Sequence, residues 1–188
     1  VPSGNFGNIC GGLIAHKMGL PVEKFIATTN VNDIVPQYLE KSVFTPRPSI
    51  ATISNAMDVG NPSNFPRMTA LFGDLYESVK EKVQGYSFTD KETEIALKAI
   101  YQETGYIMCP HTAVAYLGLK AYFQQTNSTA NGIFLSTAHS AKFLDIVEPI
   151  LNIKLEVPQE LESIINKPKV SIKMSKDFDG FKKYLLGQ

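Results

Sequence analysis

The chain has 188 residues, 44% of them hydrophobic and 19% charged, which suits one ordinary globular domain and excludes wholesale disorder. Lys+Arg and Asp+Glu both total 18, so no global field gathers nucleic acid or an anionic membrane, and any anion has to be held locally. Cys10 and Cys109 lack metal-ligand spacing, no apolar run reaches the roughly 18 residues of a membrane span, and no secretory signal opens the chain, so a soluble protein of the reducing cytoplasm is expected.

Val1-Pro2 runs at once into the small, turn-forming Ser3-Gly4-Asn5-Phe6-Gly7-Asn8, so the chain is expected to begin inside an element, with an upstream portion missing. Apolar Ile9, Leu13 and Ile14, followed by Gly19-Leu20-Pro21, predict a helix over Ile9 to Met18. Phe25 to Thr29 reads as a short buried strand that ends in the turn Asn30-Val31-Asn32-Asp33. Loop, helix and strand follow in the order of an α/β unit.

Periodicity fails from Lys41 to Pro66, where four prolines predict an irregular excursion with short helical pieces. Helical spacing resumes from Arg67 to Lys82, with Gly85 as its stop, and Thr89-Asp90-Lys91-Glu92 fits a capping box opening a helix to Thr104-Gly105. A short strand is predicted at Tyr106 to Met108, a helix from Pro110 to about Gln124, a strand at Gly132 to Ser136, and a helix from Ser140 to Leu151 with Pro149 near its end. The tail holds amphipathic pieces at Glu160 to Ile165 and Phe178 to Leu186 around a possible strand, Val170 to Met174. The expected division is a main part, 1–156, with an irregular and helical insertion at about 41–105, and a tail, 157–188.

Two segments carry candidate chemistry. Ser3 to Asn8 leads straight into a helix, whose unpaired N–H groups and positive dipole end suit a phosphate; the competing reading is a turn whose glycines serve only the backbone. Ser136-Thr137-Ala138-His139 places hydroxyls at the carboxyl end of a predicted strand, where open α/β sheets bind ligands, although Ser136 or Ser140 also suits a helix cap. His111 and His139 read as structural, and Asn30, Asn32 and Asp33 as turn residues, though a parallel sheet would bring three strand ends to one edge. Arg67 suits an anion clamp or an ion pair with Asp58 or Asp74.

The blocks Val1 to Asn8, Ala27 to Asp33, Ser54 to Val59, Asn64 to Arg67, Pro110 to Tyr116 and Ser136 to Phe143 resemble, in the same order, the threonine synthase family, densely from Val1 to Ile153 and more weakly beyond. The resemblance implies an α/β fold of the tryptophan-synthase-β-like kind (fold type II of the pyridoxal-phosphate enzymes), a partial parallel sheet with helices on both faces. It implies conversion of O-phospho-L-homoserine and water to L-threonine and phosphate, with pyridoxal 5'-phosphate as cofactor. By the same likeness Gly4, Asn5, Phe6, Gly7 and Asn8 would hold the cofactor's phosphate and Thr137 would lie near its pyridine nitrogen. Asn30, Asp33, Asn55 and Arg67 are candidates for the substrate. The family's Schiff-base lysine lies in a Ser-Phe-Lys-Asp setting that does not occur here, so no lysine of this chain is assigned that role, the missing amino-terminal half becomes the expected partner, and the chain alone is expected to be inactive. No metal, nucleic acid or membrane is implied. A phospho-lyase relative and a noncatalytic phosphate-binding module are the alternatives, and an uncovered strand edge predicts self-association.

Overall fold

The computed structural model describes residues 1–187 of a chain that divides into two compact units, Val1–Leu155 and Glu156–Gln188. In the first unit the opening loop enters helix α1 (Gly7–Lys17), which returns the chain to strand β1 (Phe25–Thr29). Every residue of β1 is buried, as a near-continuous apolar run is when both of its faces are covered. Thr28 gives its N–H to Val1 O (3.0 Å) and accepts from Ser3 N (2.7 Å), so the opening residues extend the sheet at one edge of β1.

The turn after β1 leads into α2 (Ile34–Lys41), to which no element is assigned from sequence. Ile34, Val35, Tyr38 and Leu39 bury one face of it, and Pro36 is tolerated because it lies in the first turn. Residues 42–64 are irregular, as expected, apart from a 3-10 turn at Asn55–Met57.

The single helix expected over Arg67 to Lys82 is instead two, α3 (Phe65–Ala70) and α4 (Tyr76–Lys82). Gly73 and Asp74 both adopt left-handed backbone (φ 65 and φ 56), which breaks the hydrogen-bond ladder between them. Gly85 is likewise no helix stop: it lies inside strand β2 (Val83–Ser87), which pairs in parallel with β1 from Phe25↔Val83 to Thr29↔Ser87.

Helix α5 (Asp90–Thr104) begins with the predicted capping box, Thr89 N donating to the Glu92 carboxylate (2.8 Å) and Glu92 N to Thr89 Oγ1 (3.3 Å). Thr89→Ala is expected to cost about 1 kcal/mol, read as a lower urea midpoint. Hydrogen bonds from Thr89 also hold the Glu92 carboxyl below its usual pKa, so its contribution is full above the ordinary carboxylate range and is lost as pH falls through the lowered value.

Helix α6 (Pro110–Thr126) lies across β1, with Gly118 against Thr28, and α7 (Leu144–Leu151) follows a short 3-10 turn, Ser140–Phe143. Pro149 sits inside α7, close to its end. One core cluster joins α1, β1, α2 and β2 through residues such as Ile9, Leu13, Val35 and Val83; a second joins α5 and α6 through Leu97 and Ala113.

The strands predicted at Tyr106 to Met108, Gly132 to Ser136 and Val170 to Met174 do not form. An extended segment becomes a strand only when a neighbouring segment takes its N–H and C=O groups, and among the described residues no segment pairs with these; Tyr106 N instead donates to Thr104 Oγ1 (3.1 Å). Gly132–Leu135 is separated from Phe25 and Ile26 of β1 by a cleft of about 500 Å³, and Ile133 is 84% exposed.

The second unit holds α8 (Gln159–Ile165) and α9 (Phe178–Leu185), neither with a buried residue; the Asp177 carboxylate caps α9 by accepting from Gly180 N (2.7 Å). Among the described residues no helix is long and apolar enough to cross a membrane, and no cluster of His, Cys, Asp and Glu is suited to a metal.

Candidate functional site

Phe6 is the N-cap of α1 and has left-handed backbone (φ 62, ψ 18) while its ring is buried in the first core cluster. A left-handed residue at a helix start is the backbone device by which successive peptide N–H groups can be gathered around an anion. Among the described residues the N–H groups of Gly4, Asn5, Phe6, Gly7 and Asn8 have no acceptor in the chain, no side chain caps the helix, and its first turn carries no acidic residue. Asn5, Gly7 and Asn8 are exposed. Free amides at the positive end of a helix dipole fit an anion of phosphate type.

The bend is clasped from outside. The Asn5 side-chain carbonyl accepts from Ser63 N (2.6 Å) and Ser63 Oγ (3.1 Å), Asn64 Nδ2 donates to Asn5 O (2.9 Å), and Arg67 Nη1 donates to Asn64 Oδ1 (2.8 Å). The Asn5 carboxamide is thus spent on Ser63 while its main-chain N–H stays free. Among the described residues Arg67 forms no ion pair, with Asp58, Asp74 or any other acid, and stays exposed beside the bend. Burial raises the pKa of the nearby Cys10 thiol, against the opposing pull of the Arg67 charge.

The end of β1 meets a buried polar knot. Asn30 is fully buried; its Nδ2 donates to Thr52 Oγ1 (2.8 Å) and Asp58 Oδ1 (2.9 Å), and its Oδ1 accepts from Asn32 N (3.0 Å) and Nδ2 (2.9 Å). Asn32 Oδ1 accepts from Ile50 N (2.7 Å), and Asp58 Oδ2 from Thr52 N (3.0 Å). Asp33 pairs with Arg47 and accepts from Gln37 Nε2 (3.1 Å). Asn30 and Asp33 therefore tie the irregular excursion to the strand end, whereas Asn55 is exposed on the 3-10 turn. That turn presses on the bend, since a Cβ built on Gly4 would lie 2.7 Å from Met57 Cα.

The first turn of α6 reaches both sides. His111 Nε2 accepts from Ala56 N (3.1 Å), and Thr112 Oγ1 donates to Ser136 Oγ (3.3 Å). With Nε2 accepting, the imidazole proton lies on Nδ1, which is buried without a partner among the described residues. Burial lowers the pKa of His111, opposed by the charge of Asp58, in keeping with a neutral ring. Thr137 is exposed, and its hydroxyl has no partner among the described residues. His139, rather than Ser136 or Ser140, caps the next turn, its Nδ1 accepting from Ala141 N (3.1 Å). The roles of Thr52, Ser63 and Thr112 were not legible in the sequence, because each short polar side chain owes its role to a partner brought near by folding.

Residues 112–185 match the family described as "Threonine synthase, C-terminal". The chain is 46% identical to a threonine synthase of Haemophilus influenzae over 99% of its own length and 43% of the relative's, and 44% identical to that of Escherichia coli over 99% and 42%. It thus spans less than half the length of these relatives. Among solved structures, threonine synthase from Escherichia coli superposes with a TM-score of 0.87 at 41% identity, covering 99% of this chain and 42% of that one. A PLP-bound threonine synthase from Brucella melitensis superposes with a TM-score of 0.80 at 27% identity, covering 98% and 44%. The α/β fold expected from the resemblance, fold type II, is the one these chains share. On sequence and fold together, this chain belongs to the threonine synthase family and corresponds to its carboxyl-terminal portion.

Proposed function

We propose that the chain is the carboxyl-terminal portion of a cytoplasmic, pyridoxal-phosphate-dependent threonine synthase that turns O-phospho-L-homoserine and water into L-threonine and phosphate. The observation that carries this reading is the run of unpaired main-chain N–H groups from Gly4 to Asn8 at the start of α1. These amides hold the cofactor's phosphate, and the helix dipole adds to their pull. When bound, the cofactor supplies the electron sink that makes the substrate's carbons acidic enough for phosphate to depart.

The remaining residues bind and orient. Thr137 offers its free hydroxyl to the pyridine nitrogen, and a neutral partner of this kind does not enforce a protonated ring. Arg67, exposed beside the bend and without a counter-ion among the described residues, meets the substrate's negative charge, and Asn55 lies exposed on the neighbouring turn. Asn30 serves from behind, holding Ser54 and Asp58 on either side of that turn, while Asp33 holds Arg47 of the irregular excursion. The lysine that moves protons on the substrate comes from the amino-terminal portion, so this chain alone is inactive.

The intact enzyme loaded with pyridoxal phosphate is expected to release phosphate from O-phosphohomoserine with threonine as the product. Release accompanied by a 2-oxo acid would assign a phospho-lyase instead. No release from a folded, cofactor-loaded enzyme would defeat both.

A further inference from the structure

His111 and Thr112 are adjacent, buried, and absorbed by none of the binding roles above. Each reaches a different wall of the site. His111 holds Ala56 N, and the Ala56–Met57 backbone is what Gly4 rests against, so this contact bears on the amide bend. Thr112 holds Ser136, the residue before Thr137, and the Cys109 thiol lies 3.1 Å from the Thr112 hydroxyl on its other side. The segment around Thr137 is not a strand and has no ladder to fix it. It is held instead through side chains: at Phe134 by Tyr116 (ring centroids 5.8 Å apart), at Ser136 by Thr112, and at Phe143, whose ring centroid lies 4.9 Å from that of His111.

We propose that His111 and Thr112 are positioning residues whose hydrogen bonds divide the work, that of His111 holding the phosphate wall and that of Thr112 the pyridine wall of the cofactor site, while the His111 ring also packs on Phe143, an apolar contact that His111→Leu would keep. The proposal presupposes the cofactor site described under the proposed function and adds a division of labour within it. The geometry behind the division is the rigid helix that carries both: α6 is 17 residues long and is set on β1 by the close approach of Gly118 to Thr28, so its first turn is a fixed point to which two otherwise irregular segments are tied.

The test uses the intact holoenzyme, with phosphorus NMR of bound pyridoxal phosphate reading the phosphate wall and the cofactor's visible absorption reading the ring. His111→Leu is expected to move the phosphorus resonance and weaken cofactor binding at least tenfold, and His111→Gln, whose carbonyl reaches the place of Nε2, to recover most of both. Thr112→Val is expected to leave the phosphorus resonance in place and shift the absorption maximum, with Thr112→Ser recovering it. If Val at position 112 or Leu at position 111 prevents folding, Thr112→Ala and His111→Asn make the same comparison. Variants that move both signals together, or neither, would overturn the division of roles. A wild-type enzyme that binds no cofactor would overturn the parent reading, and this one with it.

Discussion

Gly118→Ala is expected to destabilise the first unit by about 2 kcal/mol, against the usual gain from replacing a helical glycine. Alanine in a helix interior is favoured over glycine by about 1 kcal/mol. Here the added Cβ would lie 1.7 Å from Thr28 Cγ2 and 3.1 Å from Thr28 Cβ, so the contact is far inside van der Waals range. Thr28 cannot swing away cheaply, because its Oγ1 donates to Val1 O (2.9 Å) and its side chain is fully buried in β1. The helix must lift or the strand end must shift, and overpacking of this kind costs about 1–3 kcal/mol, the upper end being appropriate to so short an approach. Urea unfolding reads the loss. Thr28→Ser deletes the offending methyl, so the double variant is expected to regain most of it, which identifies the cause as this one contact. An unchanged midpoint in the single variant would mean that α6 does not rest on β1 at this point.

What the sequence made legible follows the range of each interaction. The capping box at Thr89 was readable because both of its hydrogen bonds close within three residues. The bend at Ser3 to Asn8 was readable because a turn into a helix needs only small residues and a following helix, both local. Strand β2 was not: Val83-Gln84-Gly85-Tyr86-Ser87 lacks strict alternation and contains a glycine, and it becomes a strand only because β1 offers an edge. Gly132 to Ser136 is the converse, a segment of strand composition left extended because no neighbour takes its backbone groups. The same limit applies at the site. Asn5 and Ser63 are 58 residues apart, so nothing local foretells that the Asn5 side chain turns to a clasp and not to a ligand. For Arg67 the sequence left open an anion clamp or an ion pair with Asp58 or Asp74; Asp58 is taken up by Asn30, Asn32 and Thr52, which leaves Arg67 on Asn64 with no ion pair among the described residues.

Gly4→Ala is expected to lower cofactor affinity by more than tenfold, a loss above about 1.4 kcal/mol, with a much smaller effect on folding. The added Cβ would lie 2.7 Å from Met57 Cα and 2.9 Å from Ala56 O, and both are main-chain atoms that no rotamer change can move aside. One side of the contact has to give way. The 3-10 turn is anchored by His111 at Ala56 N and by the buried knot around Asn30 and Asp58, whereas the bend keeps its amides free and its outer residues exposed. The bend therefore yields, and the N–H groups of Gly4 to Asn8 lose their common focus on the phosphate. Gly11→Ala is the matched control, since a Cβ there meets nothing within 4 Å, and it is expected to bind cofactor like the wild type and unfold slightly later. Fluorescence titration with pyridoxal phosphate, run beside urea unfolding, separates the outcomes. Wild-type affinity in Gly4→Ala would remove the bend from the cofactor site. Preserved affinity together with a large loss of stability would show instead that the 3-10 turn is the softer partner.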